Sequence, residues 1–345
     1  MNVLFDINHP AHVHFFKNFI DYLQSGGHPV TITARKKEIT EELLDLYNYE
    51  YKTVSKIGSS RSALLYELIV HQLNLYKILK KNKIDLIFSI GGTFNVHIAK
   101  LMGIRSVVFT DTEGAKVSNM ITFPFAYRIC VPDCFYQDLS RFGNKVFKYN
   151  SYHELAYLHP EEFSPDESVL DQCSLKKNET FFVLRFVSWG ASHDMGEKGI
   201  SKNGKMKIVK LLNSYGRVII TSESPLPTEF EPYRIPVSSD KIHSLLSYCK
   251  LFVGEGFTMA SESAALGTPA VLINSLQAGS IRELEEKYGL IYRFSNEEDA
   301  INKISDLMEE KDLERKWKDK NAEMLKDKIN TTKWMIEFFE TEFKG

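Results

Sequence analysis

The feature that most constrains this chain is a repeated alternation. From the N-terminus to about residue 150, short β-branched or apolar runs (Val3–Ile7, Val30–Ala34, Leu86–Ile90, Ser106–Thr110 and Arg128–Val131) are separated by amphipathic stretches of helical length at about 13–25, 36–47, 62–81, 94–102 and 115–122. Strands joined through helices can pair in parallel, so this rhythm spells repeated βαβ units. Gly26-Gly27 closes the first helix, because the left-handed conformation of a helix C-terminus costs glycine nothing. The rhythm lapses between Asn150 and Asn178, where Pro160, Pro165, Glu161, Glu162, Asp166 and Glu167 gather. It restarts with strand candidates at Thr180–Val187, Arg217–Thr221, Leu251–Val253 and Ala270–Ile273.

The chain therefore reads as an α/β protein of two Rossmann-like, doubly wound parallel-sheet domains. Its 345 residues exceed the roughly 250–300 at which one hydrophobic core stops growing, which leads to the same division. The expected parts are an N-terminal domain over 1–150, a linker over 151–179, a C-terminal domain over 180–330 and a last helix over 331–345. In that helix Trp334 and Phe338 share a face at i, i+4 spacing and need a surface, either on the C-terminal domain or by a return crossing onto the N-terminal one. Tyr152–Pro160 is unusually aromatic for a tether, so it is expected to pack and to lend His153 or Glu154 to a site.

A net charge of −2 gives no field to hold a polyanion, which argues against nucleic acid as a partner. No run reaches the ~20 apolar residues of a membrane span, and no export signal precedes the first strand, so a soluble cytoplasmic protein is expected. Contact with the inner face of the membrane stays open, since Phe15-Phe16, Phe19 and Met120–Phe125 suit a lipid surface as well as a core. Cys130, Cys134, Cys173 and Cys249 lack a second metal-binding pair and read as reduced thiols. No metal and no cofactor is expected.

The sharpest motif is Val253-Gly254-Glu255-Gly256-Phe257-Thr258-Met259, continuing through Glu262 to Gly267-Thr268-Pro269. A strand here delivers a glycine turn into a helix whose positive end suits a diphosphate, and Glu262 is placed to accept ribose hydroxyls. In the first half, Asn8-His9-Pro10-Ala11-His12-Val13-His14 follows a strand into the ligand-facing edge of a parallel sheet and offers three imidazoles. A three-histidine metal site and backbone capping are the rival readings. Phe109-Thr110-Asp111-Thr112-Glu113 occupies the equivalent place after a later strand, with helix capping as the alternative. In the second half, Arg185 and Lys198 are candidates for neutralising phosphate, His193 and Asp194 for lying near a sugar, and Ser222, Glu223 and His243 for completing the rim.

Gly256, Thr258, Met259, Glu262 and Leu266-Gly267-Thr268-Pro269 resemble the donor-nucleotide motif of GT-B glycosyltransferases and of sugar-nucleotide 2-epimerases. The departure is Glu255, an acid that would repel a diphosphate unless it turns away or meets a cation. The Asn8–Phe16 loop is similar to the GT-B loop whose histidine takes the acceptor proton, which falls on His14 by register with His12 competing. Nearly end to end, the chain resembles a GT-B-like domain-of-unknown-function family of archaea and bacteria, related to those epimerases and to surface-polysaccharide glycosyltransferases. The resemblance implies a GT-B fold with a ligand cleft between its halves. It also implies a metal-independent glycosyltransferase taking a nucleoside-diphosphate sugar, a UDP-sugar in first place, to a sugar or lipid-linked acceptor in polysaccharide or glycoconjugate synthesis. A sugar-nucleotide 2-epimerase using Asp111, Glu113 or Asp194 as acid and base is the second reading, and a non-catalytic nucleotide-sugar-binding protein the third.

Overall fold

A computed structural model describes residues 1–58, 60–186, 200–222 and 226–344. The chain divides into two compact units, one of Met1–Tyr157 with Ile329–Gly345 and one of Leu158–Lys328. The first unit runs β1 (Val3–Ile7), α1 (Pro10–Ser25), β2 (Val30–Lys36), α2 (Thr40–Leu46), β3 (Tyr51–Lys56), α3 (Arg61–Asn82), β4 (Leu86–Ile90), α4 (Val96–Leu101), β5 (Arg105–Phe109), α5 (Lys116–Thr122), β6 (Arg128–Pro132) and β7 (Val146–Tyr149). The second runs α6 (Ser168–Gln172), β8 (Phe181–Arg185), α7 (Lys202–Asn213), β9 (Arg217–Ile220), α8 (Ile242–Tyr248), β10 (Leu251–Gly254), α9 (Phe257–Ala265), β11 (Ala270–Ile273), α10 (Gly279–Glu286), β12 (Ile291–Phe294), α11 (Glu297–Glu309) and α12 (Leu313–Asp327). A last helix, α13 (Thr331–Phe339), belongs to the first unit.

All strands pair in parallel, in the order β3-β2-β1-β4-β5-β6-β7 in the first sheet and β12-β11-β10-β8-β9 in the second. Strand order reverses between β1 and β4 and again between β8 and β10. In doubly wound sheets ligands bind beyond the carboxyl ends of the strands at such a reversal. The central strands β1, β8 and β10 are buried along nearly their whole length, as strands covered on both faces must be. Strands β3, β7 and β12 fall outside the runs expected from sequence, and all three lie at sheet edges. Tyr51-Lys52-Thr53-Val54-Ser55-Lys56 shows why: an edge strand keeps polar and charged side chains and gives no apolar run.

Parts of the stretch expected as a linker are packed. Tyr152, Leu155 and Ala156 are fully buried in the first unit, and α6 packs on α8 in the second. The segment is held by the C-terminal helix: the Thr331 hydroxyl donates to the Tyr152 carbonyl and the Thr332 hydroxyl to the Ala156 carbonyl, each at 2.7 Å. On α13 Trp334 and Phe338 stack at 5.2 Å, Trp334 meets Tyr149 at 4.8 Å, and Phe338 meets Phe147 at 5.0 Å. Phe339 fits among Phe19, His28 and Phe88. Phe15, Phe16 and Phe19, considered above for a lipid surface, are core residues instead, with Phe5 and Phe88 around them. Among the described residues no helix is long and apolar enough to cross a membrane, and the four cysteines are free thiols.

Phe339 is fully buried on an element contributed from the far end of the chain, so Phe339→Ala is expected to cost about 3–5 kcal/mol, as aromatic truncation in a core does. Urea unfolding followed by tryptophan fluorescence would measure it.

Candidate functional site

In the second unit the reversal of strand order sets the end of β10 beside the end of β8, and α9 starts there. Gly254 is required by the strand itself, since a Cβ would stand 2.6 Å from the Phe252 ring and 3.0 Å from the Arg185 carbonyl oxygen. Gly256 is different. Its φ of −96° suits any residue and an added Cβ would meet nothing within 4 Å, so nothing in the described fold demands glycine at that position. Gly256 caps α9 with no side-chain bond, and Thr258 in the first turn is exposed. The amides and positive end of α9 are thus turned toward an opening at the sheet edge.

The acid inside this turn meets a cation. Glu255 and Lys205, both buried, pair at 3.4 Å, and the Glu255 carboxylate also accepts the Ile200 amide at 2.7 Å. Burial pushes the Lys205 ammonium down from its ordinary value, against the opposing pull of Glu255. Glu255 is therefore directed into the protein and neutralised there, which removes the objection it raised to an anion at Gly256. About two turns further along, buried Glu262 on α9 lies 3.0 Å from His243 Nε2, so a residue on α8 and one on α9 form a single polar unit. Arg185 ends β8 half-buried, its carbonyl taking the Glu255 amide, and Ser222 follows β9. His193, Asp194, Lys198 and Glu223 lie outside the described residues.

In the first unit the reversal point holds a carboxylate that the sequence reading missed. Asp6, fully buried on β1, accepts from the Thr33 hydroxyl at 2.9 Å, the Asn95 amide at 2.8 Å and the Asn8 amide at 3.1 Å, with His71 Nε2 at 3.1 Å. Burial would raise its pKa, yet His71 and these donors prevail and hold it at about 2. The chain of contacts continues from His71 Nδ1 to Ser55 Oγ at 2.8 Å and from Ser55 to Glu67 at 3.2 Å, ending in a two-point Glu67–Arg35 ion pair. The available signal was Val3-Leu4-Phe5-Asp6-Ile7 itself: an acid inside a buried strand must have partners.

Asn8 is fixed by Asp6, and its side-chain oxygen is buried with no partner among the described residues. Beyond it the three histidines separate. The His9 ring caps α1 by accepting the Ala11 amide at 3.2 Å. His12 is half-buried and its Nδ1 accepts the Asn8 amide at 3.3 Å, which leaves the proton on Nε2. His14 faces elsewhere, between the Tyr47 hydroxyl at 3.2 Å and the Tyr157 ring at 5.4 Å. Among the described residues no group of three or more histidine, cysteine or acidic side chains is placed to hold a metal.

His153, from the segment following β7, lies with Nδ1 3.4 Å from the Asp111 carboxylate. Its Nε2 is buried and has no partner among the described residues. Desolvation lowers the His153 pKa although Asp111 opposes it, and desolvation with the neighbouring His9 and His153 lowers that of His12 well below 6.5. Both rings are neutral near pH 7. His153 presents a bare acceptor and His12 an N–H. Glu113 is buried and accepts the Tyr136 amide at 3.3 Å, which ties its loop to the chain after β6. The structure thus gathers Asp111, His12 and His153 and sets His14 apart in a packed role.

Two doubly wound parallel-sheet units of this kind make up the GT-B fold. The chain is similar to a UDP-GlcNAc 2-epimerase of Neisseria meningitidis solved with UDP-GlcNAc, at 14% identity and a TM-score of 0.70 over 99% of this chain and 100% of that one. It is also similar to a glycosyltransferase of Streptomyces sp. SF2575, at 11% identity and a TM-score of 0.60 over 97% and 99%. The chain belongs to the family described as Protein of unknown function (DUF354), whose profile matches residues 1–333. An uncharacterized protein of Methanocaldococcus jannaschii is 24% identical over 281 residues, 79% of this chain and 81% of its own length.

Two pH windows follow from these groups. His12 and His153 have folded pKa values below the ordinary 6.5, so the unfolded chain binds more protons and stability falls as pH drops below about 6.5. Asp6 is depressed from 3.8 to about 2, so its contribution is present above pH 4 and is lost as pH falls toward 2. Urea midpoints measured between pH 8 and pH 3 are expected to show both losses, the upper one weakened in His12→Gln/His153→Gln. Asp6→Asn reduces the lower one, to which other ion-paired carboxylates such as Asp166 also contribute, and costs about 3 kcal/mol at pH 7 by stranding the His71 side of the network.

Proposed function

We propose that this protein is a glycosyltransferase that takes its sugar from a nucleoside diphosphate, UDP in first place. In this reading the turn into α9 binds the nucleotide and the Asp111–His153 pair is the proton-transfer group. The observation that carries the reading is the Asp111–His153 pair: a neutral imidazole oriented by a carboxylate, with its other nitrogen buried and bare. That arrangement suits a general base, and in glycosyl transfer the proton it removes is that of a hydroxyl. As the acceptor oxygen bonds to the anomeric carbon, its proton passes to His153 Nε2 and Asp111 stabilises the imidazolium. The bond from the anomeric carbon to the diphosphate breaks, and the amides opening α9 receive the charge that develops on the leaving group. The acceptor in this reading is a sugar or a lipid-linked sugar. His243 orients the Glu262 carboxylate toward the ribose hydroxyls.

A second reading, sugar-nucleotide 2-epimerisation, is favoured by the likeness to the Neisseria epimerase and by a second imidazole, since His12 could act as acid opposite His153 as base. One experiment separates the two. Nucleotide sugars incubated in D2O and followed by NMR are expected to release nucleoside diphosphate only when an acceptor is added. Deuterium entering the sugar C2 position without acceptor would replace the transferase by the epimerase. No change in either the nucleotide or the sugar, with or without acceptor, would defeat both.

His153→Gln is expected to leave UDP binding intact and to lower turnover about 10²–10⁴-fold, the usual contribution of a positioned base. Gly256→Ala and Glu262→Gln are each expected to weaken UDP binding by about 1–3 kcal/mol in calorimetric titration. The thermal midpoint of Gly256→Ala should stay unchanged, because the added methyl enters open space.

A further inference from the structure

Helices α3, α4 and α5 follow one another across a single face of the first sheet. Leu75, Leu79 and Ile84 pack with Ala99, and Val96 packs with Phe123 and Ala126. Their outer sides are not polar. On α3, Leu65, Tyr66, Ile69 and Leu73 recur at helical spacing and are 63%, 71%, 53% and 57% exposed. Leu101 on α4 is 80% exposed and Met120 on α5 is 56% exposed. The second unit exposes only three large apolar side chains among its described residues, Tyr215, Tyr248 and Leu276. Scattered apolar side chains need no explanation, but their recurrence at helical spacing on one helix and on the two that follow it across the same sheet face marks a docking surface.

Charge identifies the occupant. Across all three helices the only acid is Glu67, which is buried and bound to Arg35. Beyond Arg61 at the start of α3, the cations are Lys77, Lys80 and Lys81 toward the end of α3, Lys100 on α4 and Lys116 on α5, and none of these five lysines makes an ion pair among the described residues. An apolar stripe bordered by uncompensated lysines, with tyrosine among the exposed residues, matches the interface of an anionic bilayer, where aliphatic side chains enter the acyl boundary and ammonium groups meet phosphates. A second copy of the chain would set these lysines against the same acid-free surface. We infer that the α3–α5 face docks this protein on the surface of anionic lipid membranes.

The test is flotation of the full chain with vesicles of phosphatidylcholine alone and of phosphatidylcholine mixed with phosphatidylglycerol. Binding is expected to the mixed vesicles only and to weaken with added salt. Lys80→Glu/Lys81→Glu and, separately, Leu65→Glu/Leu73→Glu should each reduce binding about tenfold or more, since each lysine near such a surface contributes about 1 kcal/mol. Circular dichroism and UDP binding should be unchanged in both, because these side chains are exposed and lie outside the candidate site. Equal binding to neutral vesicles, or no loss in either variant, would overturn the inference. So would a dimer in light scattering that Ile69→Glu splits while the wild-type chain ignores both vesicles.

Discussion

A buried, ionised carboxylate organises the first unit. Asp6 is fully buried toward the carboxyl end of β1, where an unpaired charge would be prohibitive, and four side chains from β2, α3 and the segments after β1 and β4 converge on it. Each donor fixes a different element. Asn95 draws in the turn after β4, where Gly91 and Gly92 take φ values of +75° and +70°, and Asn8 sets the start of the histidine loop. His71 clamps α3 to β1 and passes the contact through Ser55 to the Glu67–Arg35 pair. The positions of Asn8, His9 and His12 at the sheet edge thus depend on a group six residues or fewer away that carries no chemistry of its own.

The same logic recurs in the second unit. Glu255 stands inside the turn that opens α9, where its charge would oppose an anion, and Lys205 neutralises it from below. The turn keeps its shape and the helix keeps its field. His243 and Glu262 repeat the device further along the same helix, with a buried carboxylate held by an imidazole from the adjacent helix. Across both units, buried acids are anchored by partners from neighbouring elements, and the helix and strand ends they support are left with polar groups directed outward.

Much of this was legible in the sequence, and what was hidden has physical reasons. Alternation of apolar runs and helical stretches revealed the two parallel-sheet units because strands covered on both faces must be apolar throughout. The edge strands β3, β7 and β12 escaped since one side of each meets solvent. The Gly254–Glu262 motif was readable as a strand, a turn and a helix, and Glu255 was recognisable as needing a cation, but Lys205 is 50 residues earlier and nothing local announces it. Register alone favoured His14 over His12. The direction each ring takes depends on Tyr47 and Tyr157 for one and on the Asn8 amide for the other, which are tertiary facts. His153 was noticed for the aromatic company it keeps, while its partner Asp111 is 42 residues away in sequence.

The return of α13 to the first unit has a consequence for how the chain is made. Residues 158–328 fold as an insertion between two parts of one unit, whose aromatic cluster of Phe19, Phe88, Phe147 and Tyr149 is completed by Trp334, Phe338 and Phe339. During vectorial synthesis the earlier unit cannot close before the later one has emerged from the ribosome. The newborn polypeptide therefore carries an open apolar seam through most of translation, and its N-terminal half reaches its native packing only when the last helix arrives.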